Sequence, residues 1–181
     1  MAERFRSLDP DLAEWWVAQP VFFVATAPAG GDGHINLSPK GYDTLRVLGP
    51  NRVAYLDLTG SGVETIAHLR ENGRITLMAC AFSGNPCISR IYGRGTVHRV
   101  ATPEFDALEG KFPKLPGRRS IIDIDVTGVT TSCGFAVPLM DLVGERDRLK
   151  EWAAKKGDDG IVDYWAARNA QSLDGLPGVG A

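Results

Sequence analysis

Long apolar runs are missing from these 181 residues, and no stretch approaches the roughly 20 residues that cross a bilayer. Cysteine is sparse: Cys80, Cys87 and Cys133 are odd in number, and none falls in a C-x-x-C pair. That excludes a disulfide scaffold and points to free thiols in a reducing compartment. Neither sign of charge dominates, with 20 Lys and Arg against 22 Asp and Glu and a formal net charge of -2. No nucleic-acid footprint is therefore expected. His34, His68 and His98 are scattered without metal-ligand spacing. No serine sits in a G-x-S-x-G elbow, which disfavours an esterase-type hydrolase. The opening Met1–Ser7 has no apolar h-region, so a secretory signal is not expected. The expectation is a cytoplasmic chain with no membrane, nucleic-acid or metal partner.

Hydrophobic residues make up 44%, an ordinary globular share, and the length suits one domain over residues 1–181 with a real core. Asp9-Pro10 reads as a helix entry, with Trp15 and Trp16 on the helix and Pro20 ending it. Short β-branched runs follow at 21–26, 34–38, 43–48 and 53–58, separated by Gly/Pro/Asn turns. A long hairpin spans 74–100, and 120–129 alternates as a half-buried strand. Residues 135–139 read as a last extended piece. Two helices are expected near 145–156 and 158–169. Hairpin connections and the lack of strand–helix alternation favour an antiparallel fold. The fold class is mainly β: a six- to seven-stranded antiparallel split barrel, about 20–140, with short peripheral helices and C-terminal helices about 144–170.

Two motifs carry chemistry. His34-Ile-Asn-Leu-Ser-Pro-Lys-Gly41 leaves a strand with one fixed cation, Lys40. Leu58-Thr-Gly-Ser-Gly-Val-Glu-Thr65 is a glycine turn opening a helix, with Ser61 and Glu64 spaced as a capping box. A cation beside a helix N-terminus is a common phosphate cradle. The turn fits neither standard nucleotide fingerprint, because Thr65 replaces the third glycine and no Gly-Lys-Ser/Thr follows. A plain capped helix explains it equally well. Arg90, in Ser89-Arg-Ile-Tyr-Gly93, offers a second cation. The basic stretch Lys111–Arg119 is interrupted by prolines and reads as a solvated loop. Asp123 and Asp125 share a strand face, which solvation at a sheet edge explains.

The order of these motifs, continued by Asn72-Gly-Arg-Ile-Thr-Leu77 and Ser89-Arg-Ile-Tyr-Gly-Arg-Gly95, resembles the pyridoxamine 5'-phosphate oxidase-like family of flavin-binding split barrels. The tail elements Ser132–Leu139, Val143–Asp147 and Ser172–Gly178 are similar to a bacterial subgroup of that family. The resemblance implies a homodimer with FMN at the subunit interface. It places Asn36, Ser38, Lys40 and Gly41 along one wall of the flavin. Leu58, Thr59, Glu64 and Thr65 fall on a second, with Ser61 and Gly62 in the turn. Arg90 approaches from the next hairpin, and Cys133 with Gly134 come from the partner. The implied activity is that of an oxidoreductase, with no side chain assigned as general acid or base.

Two departures stand out. Glu64-Thr65 replaces the Arg-Lys pair usual in the vitamin B6 oxidases, and the Arg- and His-containing C-terminal segment that grips their substrate is absent. Two alternatives stay open. One is the deazaflavin F420, whose longer anionic tail would need Arg94, Arg99 and the 111–119 loop as a basic groove. The other is a non-enzymatic flavin or haem carrier.

Overall fold

The computed structural model describes residues 3–179. Its elements run β1 (Glu3–Phe5), α1 (Pro10–Val17), β2 (Phe22–Thr26), β3 (Asn36–Lys40), β4 (Leu45–Gly49), β5 (Arg52–Leu58), α2 (Glu64–Asn72), β6 (Arg74–Cys80), β7 (Ile88–Arg99), α3 (Pro103–Glu109), β8 (Arg118–Ser132) and α4 (Arg148–Arg168). The strands form one antiparallel sheet in the order β3-β2-β6-β7-β8-β5-β4, with β1 added to β8. The end strands β3 and β4 are not paired, so the sheet is a split barrel rather than a closed one. Eight strands replace the expected six or seven. The extra one, β1, is three residues long, too short for alternation to reveal.

The barrel interior is filled by Phe22, Val24, Tyr55, Leu77, Ile91, Ile122 and Ile124, with Trp16 of α1 inserted among them. Asp9 caps α1 by accepting from Leu12 N at 2.8 Å, and Pro10 takes the first turn, where no backbone donor is needed. The Trp16 indole then donates to Ser89 Oγ at 2.9 Å, which anchors the helix across the barrel mouth. Strand β5 is apolar on both faces because α3 covers its outer side, where Ala54 and Leu56 meet Phe105, Leu108 and Ile121.

Three local expectations are corrected. Helix α2 is capped by Val63, without a side-chain hydrogen bond, and Glu64 is its first residue; Ser61 and Glu64 form no capping box. Residues 135–139 join no strand, and Phe135 and Leu139 are exposed. Arg119 is not solvated but buried. The C-terminal helical region is broken at Gly157 (φ 66°, ψ 174°), which produces the two expected helical pieces. Gly73, at φ 70°, ends α2 in the left-handed conformation that glycine adopts without strain.

The β7–β8 register shifts between Tyr92 and Gly93, and a Cβ on Gly93 would lie 2.5 Å from the Asp125 carbonyl oxygen. Backbone cannot yield there as a flexible side chain does. Gly93→Ala should therefore cost about 1–3 kcal/mol in urea unfolding, the usual overpacking range.

Candidate functional site

Register decides which expected residues can meet. Asn36, Ser38 and Lys40 pair with Thr26, Val24 and Phe22, whose side chains point into the barrel. All three β3 residues therefore face inward and are half-buried, while Leu37 and Pro39 face outward and are exposed. Asn36 Nδ2 donates to Thr65 Oγ1 at 3.0 Å and to Thr26 Oγ1 at 3.2 Å. The Thr26 hydroxyl also meets His68 Nδ1 at 3.0 Å. Asn36 and Thr65, expected on two separate walls of a flavin, are hydrogen-bonded directly to each other and joined by Thr26 and His68, which sequence reasoning missed.

Two buried atoms near this cluster lack partners among the described residues: Tyr55 OH and His68 Nε2. Burial lowers the His68 pKa despite the opposing pull of Asp174, Glu64 and Glu71, so the ring is neutral near pH 7. Burial, reinforced by Asp57, holds the Tyr55 phenol well above its usual value. Leaving such groups unpaired is costly in a protein interior, so each is a candidate for a ligand contact.

Lys40 points at a carboxylate rather than at open solvent. Its Nζ lies 3.7 Å from Asp57 Oδ1, with the lysine side chain 21% exposed and the aspartate fully buried. Asp57 also accepts from Arg119 Nε at 2.8 Å and Ser120 Oγ at 3.2 Å. Burial alone would raise the Asp57 carboxyl; the charges of Arg119 and Lys40, with hydrogen bonds from Arg119 and Ser120, outweigh it and hold the group ionised below its usual range. Two cations thus face one carboxylate. Arg119 takes the close contact, leaving Lys40, at the more accessible edge, as the surplus positive charge.

The glycine turn serves a different purpose from the one its sequence suggests. Thr59 is buried, and its hydroxyl accepts from the Trp165 indole at 2.8 Å. Asn169 Nδ2 donates to the carbonyls of Gly60 (3.1 Å) and Ser61 (3.2 Å), while Arg119 donates to Gly62 O (2.9 Å) and Asn169 Oδ1 (3.0 Å). The turn is a seat for the C-terminal helix. Ser61 and Gly62 remain exposed beside the first turn of α2. The Glu64 carboxylate accepts from Leu173 N at 3.3 Å, and Leu58 packs with the α3 cluster. Gly41 is half-buried just beyond Lys40, and its carbonyl accepts from Thr44 Oγ1 at 2.6 Å.

Arg90 does not join Lys40. Phe23 pairs with Met78 and Met78 with Arg90, whereas Lys40 pairs with Phe22, so the two cations lie on opposite faces of the sheet. Within one chain, therefore, Lys40 and Arg90 do not face the same space. Cys133, exposed, and Gly134, packed against the Cys87 backbone, sit at the far end of the β7–β8 ladder. Asp57 carried the one usable signal for the missed cluster, as the only charge in the apolar run Val53–Leu58. Arg119 carried none, being the last of several basic residues around prolines.

The model of the pyridoxamine 5'-phosphate oxidase family matches residues 8–133. The chain belongs to that family. It is 41% identical to the pyridoxamine 5'-phosphate oxidase family protein ustO of Aspergillus flavus, across 97% of this chain and 77% of that one. Among solved structures, a candidate pyridoxamine 5'-phosphate oxidase from Lactobacillus delbrueckii superposes with a TM-score of 0.53 at 19% identity, over 69% of this chain and 94% of that one. A single-site variant of HupZ from Group A Streptococcus gives a TM-score of 0.52 at 17% identity, over 68% and 98%. At such identities the two structures speak to the fold alone. Among the described residues, no helix is long and apolar enough to cross a membrane.

Asp57→Asn leaves Arg119 buried beside a neutral amide, and breaking such a pair typically costs about 3–5 kcal/mol. Because the folded-state pKa of Asp57 lies below its unfolded value, its stabilisation is complete above about pH 4 and lost as pH falls through the folded value. Acid titration of unfolding free energy should therefore fall more steeply in the wild type than in Asp57→Asn.

Proposed function

We propose that this chain binds FMN as a homodimer and acts as a flavin-dependent oxidoreductase. The observation that carries the reading is the surplus positive charge of Lys40 on the barrel face that also holds Asn36, Thr65 and two unpartnered buried polar atoms. The groups present fit a flavin phosphate and ring. Lys40 would meet one phosphate charge, and the first-turn amides of α2, which no side chain caps, would donate to the same anion. Asn36, Ser38 and the Tyr55 phenol are polar groups that could orient the ring. Bound there, the flavin supplies hydride chemistry, and the protein's part is to hold it and limit solvent access.

The other face of the sheet supports the homodimer reading. Phe23, Ala25, Leu37, Met78 and Tyr92 share it by register, with Leu37 66% exposed and nearby Ile35 78% exposed. A broad apolar sheet face of this kind marks an association surface. Arg90 lies on that face without a partner among the described residues, so it would serve a cofactor only across the interface, as would Cys133 and Gly134. On this reading the two cations would belong to two protomers.

The deazaflavin alternative is disfavoured by its own candidate groove. Arg119 is committed to Asp57, Arg118 to Glu109 at 2.7 Å, and Arg94 to the Asn72 carbonyl at 2.8 Å.

Flavin fluorescence quenching on titration tests the proposal. Lys40→Met should weaken FMN binding by about 10- to 100-fold, the loss of one charge-assisted contact, while the far-ultraviolet circular dichroism is unchanged. Equal affinity in the variant would remove the phosphate assignment. Light scattering should give a dimer mass that Leu37→Asp reduces to that of a monomer; a wild-type monomer saturated with FMN would contradict the interface.

A further inference from the structure

A cavity of about 810 Å³ is lined by none of the residues assigned to the flavin, although its Cys87 packs against Gly134. It opens between β1, helix α1, the turn joining β6 to β7, and the irregular segment after β8. Its apolar wall comes from Phe5, Leu12, Trp15, Phe82, Met140 and Leu142. The Trp15 ring is held edge-on against Trp16, with centroids 5.9 Å apart and planes at 87°, so it is a fixed surface. The volume falls inside the range of about 300–1,000 Å³ usual for small-molecule sites.

The charge around this cavity is of one sign. Glu3, Asp9, Asp11 and Asp141 line it, and no lysine, arginine or histidine does. Asp9 is occupied as the α1 cap, but Glu3, Asp11 and Asp141 are exposed carboxylates with no ion-pair or hydrogen-bond partner among the described residues. Carboxylates around low-dielectric walls focus negative potential into a cleft. Aromatic faces add attraction for a cation and none for an anion. A phosphorylated ligand would be repelled, so this cavity is distinct from the site around Lys40.

We propose that the cavity is a second ligand site that takes an organic cation: an ammonium or quaternary ammonium group carried on an apolar body. The apolar part would lie against Trp15, Phe5 and Met140, and the charged end would face Asp11 and Asp141. The proposal does not depend on the flavin reading, since neither its residues nor its ligand chemistry are shared.

Benzyltrimethylammonium is a suitable probe and phenylacetate a control of similar shape and opposite charge. Calorimetry with the full chain should give saturable binding of the cation and none of the anion, with the Trp15 indole resonance shifting during titration. Affinity should fall as salt rises from about 50 to about 500 mM, because exposed carboxylates are screened over that range. Asp11→Asn combined with Asp141→Asn, both at the surface, should weaken binding about two- to tenfold without altering the unfolding midpoint. Failure to saturate at millimolar probe, equal binding of phenylacetate, or unchanged affinity in the double variant would each overturn the proposal. So would binding seen only in dissociated monomers, which would make the cavity a docking pocket for a second copy.

Discussion

A buried carboxylate with two cations is the contact on which the rest of this molecule depends. Asp57 sits inside the barrel on β5 and draws in Lys40 from β3 and Arg119 from β8. These segments are far apart in sequence, and the ion pair joins both sides of the split. Arg119 extends the link to the glycine turn through Gly62 O and to the C-terminal helical region through Asn169. Taking such charges out of water is expensive, and the surrounding hydrogen bonds offset that cost only when complete. The network is nearly complete around Arg119. It is loosest at Lys40, where the separation is 3.7 Å.

That looseness links the architecture to the proposed anion binding. A lysine fully matched by its own carboxylate would have little affinity left for an external anion. Here Arg119 satisfies most of Asp57, so Lys40 keeps a net positive charge at the more accessible edge of the network. The C-terminal helical region reinforces the arrangement, with the Trp165 indole donating to the Thr59 hydroxyl and Asn169 donating to the carbonyls of Gly60 and Ser61. The tail continues the bracing, as Asp174 accepts from the His34 backbone at 2.8 Å and meets the His34 ring at 2.6 Å. The segment from Leu173 to Gly178 is thus tied to the scaffold, with the Leu173 amide on Glu64, Asp174 on His34 and the Gly178 carbonyl on Arg70.

Much of the fold was legible because its signals are local. Asp9-Pro10 set a helix start through a side-chain cap, and alternation along 120–129 marked β8 as a strand. Strand β8, however, lies inside the sheet, with Asp123 paired to Arg52 rather than solvated at an edge. The site was legible only in part. Asn36 and Thr65 could be named from motif order, but their meeting with Thr26 and His68 depends on strand register. Register also separates Lys40 from Arg90, since a one-residue offset sends side chains to opposite faces. The fate of Ser61 and Arg119 was hidden for a related reason. A capping-box spacing and a basic cluster are surface signals, and here the C-terminal helix supplies tertiary partners that override both.

The most direct test of the central claim is backbone amide and lysine-ammonium NMR during titration of the labelled protein with FMN. The account predicts that the largest shifts fall on Lys40 Nζ and on the amides of Glu64, Thr65 and Ile66 at the start of α2. Shifts confined to other parts of the fold, with Lys40 and these amides unmoved, would contradict it.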